Sequence, residues 1–70
     1  DMESELIPLK QAVGRFVGEF INLYPPGVPL LVPGEKLQEQ QYQRLMMYME
    51  QGLKIQGVSE TAPFPVRVLK

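Results

Sequence analysis

Hydrophobic positions recur at helical spacing in one part of this chain. Residues 38–51 contain neither proline nor glycine and are rich in Gln, Leu, Met and Glu, all good helix formers. Leu37, Tyr42, Leu45, Met46 and Met49 trace a stripe down one side of such a helix. Glu35 and Glu39 bring negative charge to the positive end of the helix dipole, and Gly52 supplies a C-terminal stop. The pattern predicts a long helix over about residues 36–51, with Glu35 helping to start it.

Elsewhere the period is two, or absent. Residues 53–57 alternate apolar and polar, as do residues 64–70, where Val66 and Val68 oppose Arg67. Both segments predict short strands, with residues 58–63 as a polar loop between them. Between residues 15 and 23 two patterns compete. Phe16, Val17, Phe20 and Ile21 have the spacing of a helix face, while alternation sets Phe16, Gly18 and Phe20 against Val17, Glu19 and Ile21. Gly14 and Gly18 weaken a helix, and the aromatic and β-branched residues favour extension, so residues 15–22 are assigned as a strand. Residues 1–5 are polar and read as a frayed end or a linker. Pro8 then opens one short helical turn that Gly14 closes.

The centre of the chain is stiffer. Residues 24–35, Tyr24-Pro25-Pro26-Gly27-Val28-Pro29-Leu30-Leu31-Val32-Pro33-Gly34-Glu35, hold four of the seven prolines and two of the six glycines. Proline fixes φ, lacks an N–H donor and pushes the residue before it out of the helical region. This stretch is therefore expected to be an extended ribbon, bent near Gly27 and again at Pro33-Gly34, with residues 29–32 as a short edge strand. The fold class is α+β: a small domain with a short N-terminal helical turn, a proline-rich ribbon, one long helix and about four short strands.

Composition narrows the chemistry. Seventy residues make one domain, near the lower limit for a self-sufficient core, and such a chain is expected to lean on a larger body. Cysteine and histidine are both absent. That excludes a disulfide, a zinc site of the usual kind and a Ser–His or Cys–His nucleophile. Seven basic residues against eight acidic give a net charge of −1, with the basic residues scattered singly. The balance argues against a nucleic-acid partner and against a polybasic membrane anchor. No apolar run approaches the ~20 residues that span a bilayer. The acidic start is unlike a signal peptide, so the expected address is the cytoplasm. No glycine-rich loop has the spacing of a nucleotide or dinucleotide site.

Among the carboxylates, Glu3, Glu5 and Glu60 lie in polar flanks and read as solvated, and Glu39 and Glu50 as an exposed helix face. Glu19 stands apart, between Val17 and Phe20-Ile21 in the most apolar stretch before the ribbon. Two readings are open. It is either an edge carboxylate that faces water or pairs with Arg15, or a carboxylate held between apolar walls to bind a cationic group. Tyr24 can anchor the ribbon with its ring while using its hydroxyl in a hydrogen bond. Met46, Met47 and Met49 read as adaptable core packing.

Ala12-Val13-Gly14-Arg15, Glu19 and the ribbon at 24–35 together resemble the C-terminal domain of the prokaryotic ornithine/lysine/arginine decarboxylases. These are pyridoxal-phosphate enzymes of the aspartate-aminotransferase fold type. The likeness continues through Glu50-Gln51-Gly52 and Ile55-Gln56-Gly57, covering nearly the whole chain. It implies that residues 1–70 are the C-terminal domain of a larger chain that converts arginine, lysine or ornithine to an amine of the polyamine pathway plus CO2. It also implies a homodimer or higher homo-oligomer. The family's Schiff-base lysine lies in the large domain, in a Ser-x-His-Lys type motif that a chain without histidine cannot contain. Pyridoxal phosphate is thus expected to be bound by the large domain, and the isolated segment is expected to be inactive, with no catalytic, cofactor or metal-binding residue of its own. In that setting Glu19 is the candidate partner for the distal cation of a basic amino-acid substrate. Tyr24, Pro25, Pro26 and Gly27 become candidate positions on the rim of the active-site entrance. The alternative is a docking or oligomerisation module in which no residue touches substrate.

Overall fold

The structure is a computed structural model that describes residues 3–24 and 27–70. Its elements are β1 (Ser4–Pro8), a 3-10 turn (Leu9–Ala12), β2 (Ile21–Tyr24), β3 (Val28–Leu31), α1 (Glu39–Glu50), β4 (Lys54–Gln56) and β5 (Pro65–Leu69). One helix against two small sheets makes the domain α+β, the class expected from the sequence pattern.

The first sheet is antiparallel β1–β5; the second is antiparallel with order β3-β2-β4. They are joined through residues 14–18. Gly14 and Val17 donate to the Leu37 and Glu35 carbonyls, while Leu37 and Gly34 donate back to Arg15 and Val17. The same stretch lies along β5: Leu69 donates to the Phe16 carbonyl and Gly18 to the Arg67 carbonyl. Val17 is thereby bridged to Val68 and is fully buried.

This double pairing corrects the single strand expected over residues 15–22. The chain pairs at Phe16 and Val17, bends through Gly18 and Glu19, and only then enters β2 at Ile21. Gly18 permits the close approach. A Cβ there would stand 3.3 Å from Cγ of Arg67 and 3.6 Å from its carbonyl oxygen. The N-terminal end is also more ordered than expected, because Ser4 and Glu5 belong to β1. Ile7, at the β5-facing edge, and Leu9, in the turn that follows, supply apolar surface that holds this polar start in place.

The helix is shorter than its composition suggested, beginning at Glu39 rather than near residue 36. Lys36 and Leu37 are drawn instead into the pairing with residues 14–16, where Leu37 is fully buried. Two backbone bonds and a buried leucine outweigh the small propensity gain of another half-turn. Glu35 does not start the helix. Its Oε1 accepts the Val32 N–H at 3.0 Å and closes the Pro33-Gly34 turn. The helix entry is held by Gln41, whose Oε1 accepts the Gln38 N–H at 2.8 Å.

The ribbon is a hairpin. β2 and β3 run antiparallel, and Gly27, at φ 87°, donates to the Leu23 carbonyl as the chain reverses. Pro25 and Pro26 lie outside the described residues. β3 is an edge strand, the place where Pro29 within it is tolerated. The core gathers between the sheets and α1 from Leu9, Val17, Ile21, Leu31, Leu45 and Val68, with Ile55 and Val66 beside them. Only Leu45 of α1 is fully buried; Tyr42, Met46 and Met49 pack partly against the cluster.

Candidate functional site

The outer face of the three-stranded sheet follows from strand alternation. Ile21 and Leu23 of β2 point into the core, so Asn22 and Tyr24 point outward. Across the sheet Asn22 Nδ2 donates to Gln56 Oε1 at 3.0 Å, and Tyr24 is paired with Lys54. At the β2 entry the bend at 18–19 sets Glu19 and Phe20 beside this face. Glu19, Phe20, Asn22, Pro33 and Gln56, together with Gly18 and Gly57, line an open cleft of about 500 Å³.

Glu19 is half-exposed there and already holds a guanidinium. Its Oε1 accepts from Arg67 Nε at 3.2 Å, with side-chain exposures of 51% for Glu19 and 38% for Arg67. Arg67 also donates from Nη1 to Ser4 Oγ at 2.9 Å. Glu19 is thus not paired with Arg15, the partner offered by sequence proximity. Arg15 reaches across to Glu5, with Nη2 to Oε2 at 2.9 Å, and to the Leu69 carbonyl at 3.2 Å. That hydrogen bond, with the Arg15 charge behind it, lowers the Glu5 pKa below the ordinary carboxylate value. Glu5 is therefore an ion-pair member and not a solvated flank. Glu60 lies 3.6 Å from Lys54, with both side chains largely exposed, a geometry worth little.

The cleft joins only part of the candidate set. Glu19 lines it, but Tyr24 and Gly27 stand at the hairpin end of β2, separated by about 10 Å of strand rise from Ile21. Tyr24 is 53% exposed, with its ring beside Gly27. Phe20, 57% exposed, and the Asn22–Gln56 amide pair were not singled out from the sequence. Phe20 lay hidden within an apolar run. The amide pair joins residues thirty-four apart, which no local pattern reports. Arg67 had one signal: it opposes Val66 and Val68 in a two-residue period.

No described residues fit a pyridoxal phosphate site. A Schiff-base lysine needs a shielded, partly desolvated amine, whereas Lys10, Lys36, Lys54 and Lys70 are all exposed. No buried polar or charged side chain and no grouping of metal-ligand residues occurs among the described residues. No described helix is long and apolar enough to cross a membrane.

Comparison with known proteins gives the class to which this small α+β unit belongs. A family model described as "Orn/Lys/Arg decarboxylase, C-terminal domain" matches residues 1–62. The chain belongs to that family. The arginine decarboxylase of Bacillus subtilis (strain 168) is 39% identical over 67 residues, spanning 96% of this chain and 14% of that protein. The constitutive lysine decarboxylase of Escherichia coli (strain K12) is 60% identical over 35 residues, 50% of this chain and 5% of that protein. The solved structure of the Escherichia coli constitutive lysine decarboxylase superposes with a TM-score of 0.80 at 39% identity, covering 97% of this chain and 11% of that one. A lysine decarboxylase of Francisella novicida shares the fold, with a TM-score of 0.75 at 21% identity over 97% of this chain and 11% of that one. This chain spans about one seventh of the first of these relatives.

Proposed function

We propose that this chain is the C-terminal domain of a pyridoxal-phosphate-dependent decarboxylase of basic amino acids, acting on arginine, lysine or ornithine. The large part of that enzyme would bind the cofactor, which when bound withdraws electrons from the substrate Cα. Assembly as a cytoplasmic homodimer or larger homo-oligomer, and a place in polyamine synthesis, belong to the same reading. Within the enzyme the present domain forms one wall of the substrate entrance, and Glu19 takes the distal cation of the substrate. The observation that carries this is the cleft at the β2 entry. It offers a half-exposed carboxylate beside the exposed ring of Phe20, on a backbone fixed by its neighbours.

Arg67 occupies Glu19 Oε1, and no described residue bonds Oε2. A substrate ammonium or guanidinium would share the carboxylate with Arg67 through that second oxygen. The same pairing favours a second reading, in which Glu19 and Arg67 satisfy one another and the domain only docks and stabilises. Steady-state kinetics of the full-length Glu19→Gln enzyme separate the two. On the first reading KM for the basic amino acid rises at least about ten-fold, as expected for a lost charge-assisted bond, while cofactor absorbance is unchanged. Unchanged KM would leave the docking role alone.

A further inference from the structure

The two long edges of the β1–β5 sheet are unequal. β5 is bonded along both sides. Lys70 N–H donates to the Glu3 carbonyl on the β1 side, while Leu69 N–H and the Arg67 and Pro65 carbonyls bond to Phe16, Gly18 and Ser59 on the other. The register pairs Ser4 with Leu69, Glu5 with Val68, Leu6 with Arg67 and Ile7 with Val66. In an antiparallel ladder, alternate residues turn their N–H and C=O toward the partner strand. Since Glu3 faces β5, Glu5 and Ile7 do too, and Leu9 continues the series by donating to the Pro63 and Phe64 carbonyls. Ser4 and Leu6 therefore turn their backbone groups outward.

β1 has no second strand neighbour, so the outward N–H and carbonyl groups of Ser4 and Leu6 are unbonded among the described residues, while the Pro8 carbonyl caps the 3-10 turn that follows. Leu6 is 60% exposed, the largest exposure among the large hydrophobic residues described. The edge is nonetheless held in shape. Leu6 pairs across the sheet with Arg67, whose guanidinium is anchored on Ser4 and Glu19. An ordered, unpaired edge carrying an exposed leucine, with no lysine or arginine to repel another strand, is a template for strand addition.

We infer that the outward edge of β1 receives an extended segment from the part of the same polypeptide that lies outside these residues. The inference rests on reading the chain as one domain of a longer protein, given that it spans only 14% of the Bacillus subtilis arginine decarboxylase. What favours such a segment over a second copy of β1 is that about six sevenths of a chain of that length lies outside these residues. Self-pairing centred on Leu6 would set Pro8, which has no N–H, opposite Ser4, so a second copy would have to pair in the register that sets Ser4 opposite Leu6, an outcome that the test below separates. An extended segment with no proline opposite Ser4 or Leu6 bonds all four of their outward groups.

Residue-resolved amide exchange on the full-length enzyme tests the inference. Glu5 and Ile7 N–H are protected by β5 in every case, so the readout is Leu6. Its amide should be slowed at least about a hundred-fold relative to an unstructured amide, and the protection should persist on dilution. With photo-crosslinking p-benzoylphenylalanine in place of Leu6, irradiation should join this position to a peptide of the same polypeptide outside residues 1–70. Rapid exchange at Leu6 beside protected Ile7, or no cross-link, overturns the inference. Protection lost on dilution together with a cross-linked dimer assigns the edge to a second copy and overturns it equally. None of these readouts depends on Glu19 kinetics, so the docked edge and the substrate role stand or fall separately.

Discussion

Gly57 carries the sharpest stability prediction. It follows β4 at φ 96°, and a Cβ there would lie 2.4 Å from the Phe20 carbonyl oxygen and 3.3 Å from Cα and Cγ1 of Ile21. Two costs add for Gly57→Ala. The left-handed backbone costs a non-glycine residue about 1–2 kcal/mol. The overlap is with backbone, so residues 20–21 must shift, which at the usual cost of overpacking adds about 1–3 kcal/mol. The sum of about 2–5 kcal/mol rivals the ~3–5 kcal/mol that a core of this size supplies. Gly52→Ala is the internal control: its φ is 82°, but nothing lies within 4 Å of the added Cβ, so only the conformational cost applies. Urea titration of the 70-residue chain followed by far-ultraviolet circular dichroism should show Gly57→Ala with little folded baseline and Gly52→Ala with a shifted but intact transition. Equal midpoints for the two variants would refute the argument. They would mean that the Phe20 carbonyl is not pinned, and with it the segment that sets Glu19 and Phe20 at the cleft.

The remaining predictions concern the core and the ion pairs. Leu45→Ala removes the one fully buried side chain of α1 and should cost about 2–5 kcal/mol in the same titration, whereas exposed Met47→Ala should fall within about 0.5 kcal/mol. Glu5 has a folded-state pKa below its unfolded value, so its contribution is present above the unfolded pKa and lost as pH falls through the folded one. A pH series of melting temperatures should therefore show a wild-type loss across that acidic window that Glu5→Gln lacks, with the two curves converging at its lower end. A constant gap would rule out the Arg15 pairing as its source.

What was legible in the sequence is what local chemistry alone decides. α1 was visible because a proline-free run of good helix formers needs no distant partner to be recognised, and β5 because Val66 and Val68 alternate with Arg67. The same reasoning failed where one residue serves two partners. Leu37 belongs by pattern to the helix stripe, yet it is held by bonds to Gly14 and Arg15, twenty-odd residues upstream. Residues 16–18 read as the start of a strand, but they bond on one side to residues 34–36 and on the other to β5, so the strand proper begins only after a bend. β1 was hidden because its polar first half has no pattern until β5 is laid beside it.

The charges show the same limit with functional consequences. Glu19 and Arg15 are four apart, and proximity proposes their pairing; the fold sends Arg15 to Glu5 and brings Arg67 to Glu19 from forty-eight residues away. That exchange changes what Glu19 can do. A lone carboxylate between apolar walls would attract a cation with its full charge, whereas one already bonded to a guanidinium offers a share. On the proposed reading, a substrate cation would have to gain enough from Glu19 Oε2 and the surrounding cleft to offset repulsion by Arg67. Because Arg67 is also tied to Ser4 on β1, a segment docked along that strand would fix the guanidinium further. In the assembled enzyme the electrostatics of the cleft would then depend on how the outer edge of the small sheet is covered. Arg67→Gln in the full-length enzyme separates attraction from positioning: a fall in KM for the basic amino acid means that repulsion dominates, and a rise means that Arg67 holds Glu19 in place. An unchanged KM for both Arg67→Gln and Glu19→Gln would remove the pair from the substrate path.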